Sequence, residues 1–298
     1  MKKIVFLFAL VALVMTGCSK VPISGRSQLN MVDDSQVLQS SLASYRGYMD
    51  TAKVSGNATQ SAQVTRVGKR IAAATEAYLR ANGYESEIAN YAWEFNLVKN
   101  NEINAFCMPG GKIVVYEGMM NIARTDEELA VILGHEVAHA VAKHSNERMS
   151  QQMMAQYGAQ ALSIFTSGKS AATQQIANTV YGLGANYAVM LPFSRKHETE
   201  ADEMGLVLMT MAGYDPMASI TVWQRMAASS SSKVPELLST HPSDQSRIAN
   251  LSKKAPLVKQ QYASYLQPST PATTTTNTKA ATKKTTTKKN TKKTTKKK

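Results

Sequence analysis

The chain has 298 residues, 43% of them hydrophobic, and a formal net charge of +13. Two cysteines exclude a disulfide scaffold, and the lack of any fixed internal period excludes a solenoid. Ten lysines between Pro268 and Lys298, with Lys2 and Lys3, carry the charge; without these twelve, 22 bases face 21 acids, and the body has no bulk electrostatic reason to bind nucleic acid.

The N-terminus reads as an export signal. Lys2 and Lys3 precede the apolar run Ile4 to Met15, which is too short to span a bilayer. Met15-Thr16-Gly17-Cys18 follows, and small residues before a cysteine resemble a bacterial lipobox, with Met in place of the commoner Leu. Residues 1–17 are therefore expected to be a lipoprotein signal peptide and Cys18 the lipidated residue, anchored stably because more than one acyl chain is attached. Cys107 is then left without an intramolecular partner and reads as a small buried hydrophobe. Residues 18–60 are expected to form a linker and helix, and no internal stretch approaches the ~18 apolar residues of a membrane span.

From Ser61 to Leu79, apolar Val64, Val67, Ile71, Ala74 and Tyr78 recur every three or four residues, which predicts a helix ended by Asn82-Gly83. Tyr91 to Val98 alternates and predicts a strand. Pro109-Gly110-Gly111 predicts a tight connection into a second strand, Lys112, Ile113, Val114, Val115 and Tyr116. Short and flanked by glycine, that strand is expected at the sheet edge, where an extended substrate peptide pairs with it. Thr125 with Glu128 forms a capping box and starts a helix running through Leu129, Ile132, Leu133 and Val137 toward His144.

That helix carries His135-Glu136-Val137-Ala138-His139. Histidines four apart lie one turn apart on one face and reach one metal ion, while Glu136, about 100° round the helix, flanks it. Zn²⁺ lowers the pKa of a bound water to ~7, and a neighbouring carboxylate takes its proton, which is the group set that peptide hydrolysis needs. His144, roughly 140° beyond His139, cannot share the ion on a continuous helix and is expected to support a ligand or cap the helix end. Met149 to Leu191, rich in Met, Ala, Gln and Gly, reads either as helical packing or as a lid hinged at Gly182 and Gly184. In Arg195 to Asp202, Glu198 and Asp202 share one helix face. Glu198 either completes a two-His, one-Glu site, with Asp202 bonding the far nitrogen of a ligand histidine, or belongs to an exposed acidic helix start. Residues 266–298, Thr- and Lys-rich, are expected to be a disordered basic tail, either a plain spacer or an attachment to an anionic envelope polymer or membrane.

Taken together and in order, Asn104-Ala105-Phe106 through Ile113, Gly134 to His139, Arg195 to Asp202, and Thr240-His241-Pro242-Ser243 to Arg247 resemble the HtpX-type zinc metallopeptidase family. The likeness covers roughly residues 20 to 255 and looks nearest to envelope lipoproteins of the BepA and LoiP kind. It implies an α+β, mostly helical, zincin-like domain over residues 61–265, with a small sheet and the active-site helix. It implies Zn²⁺ held by His135, His139 and Glu198, Glu136 as general base, and Asp202 supporting a ligand. It also implies His241 at the cleft as a second catalytic group and Arg247 paired with a carboxylate there. The membrane spans of some relatives and the C-terminal helical repeats of BepA-like ones have no counterpart in this sequence.

The resulting expectation is a zinc endopeptidase anchored in the cell envelope, in the outer membrane facing the periplasm, that degrades misfolded or stalled envelope proteins. The alternative is an envelope chaperone that holds unfolded chains in the cleft, with proteolysis secondary. The expected partners are unfolded envelope proteins and the membrane, with no nucleic acid.

Overall fold

The computed structural model describes residues 18–185, 191–229 and 245–266, with side chains described over 19–182, 194–229 and 245–266. The residues expected to form the signal peptide, those of the expected basic tail from 267, and His241 lie outside the described residues, as does the side chain of Cys18. No helix among the described residues is long and apolar enough to cross a membrane.

The chain opens with a small antiparallel hairpin, β1 (Cys18–Lys20) and β2 (Ser27–Leu29). Its turn is closed by Val21 N–H to Arg26 O (2.8 Å) and Gly25 N–H to Val21 O (2.9 Å), and Val21 is fully buried in the main core. Helix α1 (Asp34–Thr51) follows, capped by the Asp33 side chain, and then α2 (Ala58–Ala81) and the single turn α3 (Glu85–Ile88). The periodic face of α2 buries Val64, Val67, Ile71, Ala74 and Leu79, and the helix ends at Asn82.

A mixed three-stranded sheet comes next, built from β3 (Glu94–Val98), β4 (Ala105–Met108) and β5 (Lys112–Tyr116), in the order β3-β5-β4. β3 runs parallel to β5 and β4 antiparallel to it. Gly110 (φ 95°) and Gly111 (φ 77°) make the β4–β5 turn in a backbone region that favours glycine, as Pro109-Gly110-Gly111 predicted.

The expected edge strand, Lys112, Ile113, Val114, Val115 and Tyr116, is instead the central strand. Residues 105–108 fold back along one side of it, and β3 occupies the other. All five of its residues are buried because both faces are covered: Ile113 and Val115 enter the main core, while Val114 and Tyr116 pack with Tyr45 of α1. A continuous apolar run buried on both faces is the signature of an inner strand. Among the described strands, β4 and β3 are the edges.

The remaining α-helices among the described residues are α4 (Asp126–Val141), α5 (His144–Thr166), α6 (Ala171–Ala185), α7 (Leu191–Met211), α8 (Ala218–Ser229), α9 (Gln245–Gln261) and the short α10 (Ala263–Leu266). The fold is α+β and mostly helical, as expected. The expected run from Thr125 toward His144 is broken. Lys143 adopts a left-handed conformation (φ 52°, ψ 38°), and His144 starts a new helix. The Lys143 ammonium holds that break by reaching Asp34 (2.6 Å) and Glu87 (2.8 Å). Over its described residues, the stretch read as packing or lid forms helices joined by a turn at residues 167–170. α5 and α6 pack as an antiparallel pair, with Tyr181 Oη donating to Ala155 O (3.0 Å), and Gly182 lies inside α6.

Candidate metal centre

Helix α4 is set by its first turn. The Thr125 hydroxyl accepts from the Glu128 amide (3.2 Å), and the Glu128 carboxylate accepts from the Thr125 amide (3.3 Å). Arg225 then bridges to Glu128 (2.9 Å) and ties the cap to α8. Beyond the cap the helix is buried nearly all round, from Leu129 to Ala138.

α4 packs most extensively on α7, and two glycines set how closely. A Cβ at Gly134 would lie 2.9 Å from Gly205 O, and one at Gly205 would lie 2.9 Å from the His135 amide nitrogen. The two backbones therefore touch at the residue before His135. Seven residues N-terminal to Gly205 on α7, Glu198 comes level with the histidines. Gly205 was not singled out in the sequence, because an isolated helical glycine looks like a mere lapse in propensity.

The ligand atoms of His135, His139 and Glu198 all lie within 4.8 Å of one another. His135 Nε2 is 3.1 Å from His139 Nε2 and 3.4 Å from Glu198 Oε2, and His139 Nε2 is 3.5 Å from Glu198 Oε1. Glu136 is buried beside them, 2% exposed. Asp202, one turn after Glu198, meets His135 Nδ1 at 3.0 Å. Of the two readings of Glu198 left open by its spacing, the fold adopts the inward one: Glu198 is 1% exposed.

Arg247 of α9 joins the group. It donates to Asp202 through Nε (2.8 Å) and Nη2 (2.7 Å), reaches Glu198 Oε2 through Nη1 (3.0 Å), and lies 4.0 Å over the Trp223 ring. Burial would raise the Asp202 carboxyl, but Arg247 and His135 hold it below its ordinary value. Burial lowers His135, yet Asp202 and Glu198 outweigh it and raise its pKa to about 9 in the metal-free protein. Burial, with the Glu136 carboxylate nearby, pushes the Cys107 thiol up, so Cys107 stays a thiol and is no nucleophile.

Behind His139 lies a second buried polar group. His139 Nδ1 is 2.8 Å from His144 Nδ1, and His144 Nε2 is 3.0 Å from Glu200 Oε2. His197 stacks on His144 (4.2 Å between centroids) and meets Glu147 Oε2 at 2.9 Å. Arg26, from the N-terminal hairpin, bridges Glu147 (2.9 and 2.7 Å) and Glu200 (2.9 and 2.7 Å), and the Ser24 hydroxyl also donates to Glu200. Burial opposes ionisation of both carboxyls. Even so, His197 and Arg26 hold Glu147, and His144 and Arg26 hold Glu200, at about 2. Burial lowers His144 to about 4, against the pull of Glu200, so it is neutral at pH 7. His144 thus contacts His139 without joining the His135–His139–Glu198 triangle. Arg26, Ser24 and Glu147 were missed in the sequence, where the one available signal was the i, i+3 pair His144 and Glu147 on a helix start.

The donor set fits zinc. Two imidazole nitrogens and a carboxylate converge, the set found with a fourth open position in catalytic zinc sites. Each imidazole turns Nε2 to the centre and has Nδ1 engaged by a neighbour, the arrangement ligand histidines require.

A family model described as Peptidase family M48 matches residues 58–255. The chain belongs to peptidase family M48. M48 metallopeptidases are zinc-dependent, in keeping with the donor set here. The mitochondrial metalloendopeptidase OMA1 of Schizosaccharomyces pombe is 36% identical over 195 residues, covering 65% of this chain and 52% of that protein. Human mitochondrial metalloendopeptidase OMA1 is 30% identical over 241 residues, covering 79% and 45% respectively. The beta-barrel assembly-enhancing protease of Escherichia coli is 30% identical over 174 residues, covering 55% and 34%. The chain thus spans about half the length, or less, of these M48 relatives.

Proposed function

We propose that the chain is a zinc-dependent endopeptidase of the HtpX-type branch, anchored to the bacterial envelope at Cys18, that cleaves unfolded or misassembled envelope proteins. The observation that carries the catalytic part is the convergence of His135, His139 and Glu198 beside buried Glu136. Bound there, zinc would supply Lewis-acid polarisation of the scissile carbonyl and acidify a water to a pKa of ~7. The chain's own residues do the rest. Glu136 takes a proton from the attacking water and returns it to the leaving amine. Asp202 and Arg247 fix the ring of His135, and His144 fixes the ring of His139. His241 is proposed to share the oxyanion charge. The substrate enters as an extended strand along β4, an outer strand of the sheet among the described residues, which packs against α4.

Envelope placement rests on Lys2, Lys3, the run Ile4 to Met15, and Cys18, together with the E. coli relative whose name ties it to β-barrel assembly. The outer membrane facing the periplasm is the proposed location. The basic tail is proposed to attach to an anionic envelope polymer.

The test is Glu136→Gln. The variant is expected to keep wild-type zinc content and to lose cleavage of an unfolded test protein by about 10²–10⁴-fold, the usual contribution of a general base. Retained cleavage overturns the mechanism. If cleavage is lost but the variant fully complements a deletion strain, the chaperone reading gains.

A further inference from the structure

The polar group behind His139 performs no step in that reaction, yet it is buried, charged and built from three separate parts of the chain. It therefore carries a desolvation cost that its internal pairing must offset. Its geometry specifies proton positions one after another. The Glu200 carboxylate accepts from the Ser24 hydroxyl on one oxygen and from Arg26 Nε (2.9 Å) on the other. As an acceptor, it requires His144 Nε2, 3.0 Å away, to carry a hydrogen. A neutral imidazole with its hydrogen on Nε2 has a bare Nδ1 that can only accept. His139 Nδ1, 2.8 Å from it, must then be the donor. That leaves His139 Nε2 with a lone pair directed at the point where His135 Nε2 and Glu198 Oε1 converge.

We propose that Arg26, with Ser24, is a positioning residue for the metal centre: through Glu200 and His144 it sets the ring orientation and tautomer of His139. This rests on the reading of His135, His139 and Glu198 as the zinc ligands. The N-terminal hairpin is then the outer wall of the site. Its turn, closed by the Val21–Arg26 and Gly25–Val21 backbone bonds, aims Ser24 and Arg26 at Glu200, midway along α7. Arg26 suits the task because its planar fork spans two carboxylates at once: Nη2 is 2.7 Å from both Glu147 and Glu200. Glu147 in turn holds His197, whose ring stacks on His144 and limits its rotation. When the guanidinium is removed, Glu200 loses donors, its carboxylate turns from His144, and the chain of fixed hydrogens ends before His139.

The full chain is the material for the test. Zinc affinity is measured at fixed pH by competition with a chromophoric chelator. The ring ¹⁵N shifts of the histidines in the metal-free protein report the His139 tautomer. Arg26→Gln is expected to weaken zinc binding by about 10–100-fold, the usual loss for a group that supports a ligand, and to move His139 away from the Nδ1–H form. Arg26→Lys keeps the charge without the fork and is expected to lose less. In a His144→Gln background the Arg26→Gln loss is expected to vanish, because the relay is already cut. Wild-type zinc affinity in an Arg26→Gln protein that merely melts lower overturns the proposal, as do losses that add in the double variant. If Arg26→Gln does not fold, Arg26→Lys and Ser24→Ala decide, and unchanged affinity in both overturns it. Glu198→Gln separates the two levels. Unchanged zinc affinity there refutes the ligand assignment itself, whereas loss there with none at Arg26 refutes only the positioning role.

Discussion

His135 is the residue at which folding and metal binding compete for the same proton. Its folded, metal-free pKa is raised to about 9, above an ordinary value near 6.5. A raised histidine pKa stabilises the fold while the ring is charged. That contribution is complete below pH ~6.5 and is lost as pH rises through about 9. The metal needs the neutral ring, so binding must expel the proton across this window. Zinc affinity, measured in buffers from pH 6 to 10, is expected to rise roughly tenfold per pH unit and level off near 9. The melting temperature of the metal-free protein should fall over the same range. Asp202→Asn removes one cause of the shift and the fixed acceptor for His135 Nδ1. We expect zinc affinity to drop by about 10–100-fold and the pH window to move down. An Asp202→Asn protein with unchanged affinity and window would show that Glu198 alone sets the ring.

At the scale of elements, the site depends on how closely α4 and α7 approach. Gly134 and Gly205 let the backbones touch, with the positions of their missing Cβ atoms 2.9 Å from backbone atoms of the facing helix. Gly134→Ala must push the helices apart, and the obstruction is backbone, which cannot swing aside. We expect a loss of about 1–3 kcal/mol of stability, as for other overpacked cores, and weaker zinc binding because Glu198 retreats with α7. Chemical denaturation of both states checks it; an unchanged midpoint with wild-type zinc affinity would rule it out. The elements also show how the sequence was legible and where it stopped being so. The capping box at Thr125 and the face of α2 were readable because their causes lie within one helix turn. The position of β5 was not: four apolar residues after a lysine, in a short run near glycines, suit an edge or a centre equally. Only the return of residues 105–108 along its flank makes it central. The break at Lys143 was likewise hidden, since its two partners are Asp34 and Glu87, far away in the chain.

Over the whole molecule, the near-neutral body conceals a strongly uneven distribution of buried charge. Arg26, Glu147 and Glu200 bring the N-terminal hairpin, α5 and α7 together. Glu147 and Glu200 titrate at about 2 in the fold. A depressed carboxyl contributes stability that is present above its unfolded pKa, about 4.5, and is lost as pH falls toward the folded value. The melting temperature of the metal-free protein is therefore expected to start falling below pH ~6.5, where His144 charges in the unfolded chain but stays neutral in the fold, and to fall steeply between about 4.5 and 2 as these carboxylates add their loss. A melting temperature flat to pH 2 would mean that these carboxylates add nothing. The apolar Ile164, Phe165 and Ile176 on the α5–α6 pair stay exposed, and that pair lies apart from the charge network except at the start of α5.

By itself the sequence determined the chemistry that is local: two histidines one turn apart, the glutamate between them, the cap that begins their helix, and the pairing of Glu198 with Asp202 on one face. Helix periodicity carries that information within a few residues. The tertiary structure decided whatever depends on contacts between distant segments. It turned the Glu198 face inward, placed β5 in the middle of its sheet, and broke the helix so that His144 meets His139. It also brought Arg26 across more than a hundred residues to Glu147 and Glu200. A buried charge is stable only where its partner arrives, and the arrival of a partner is a property of the fold.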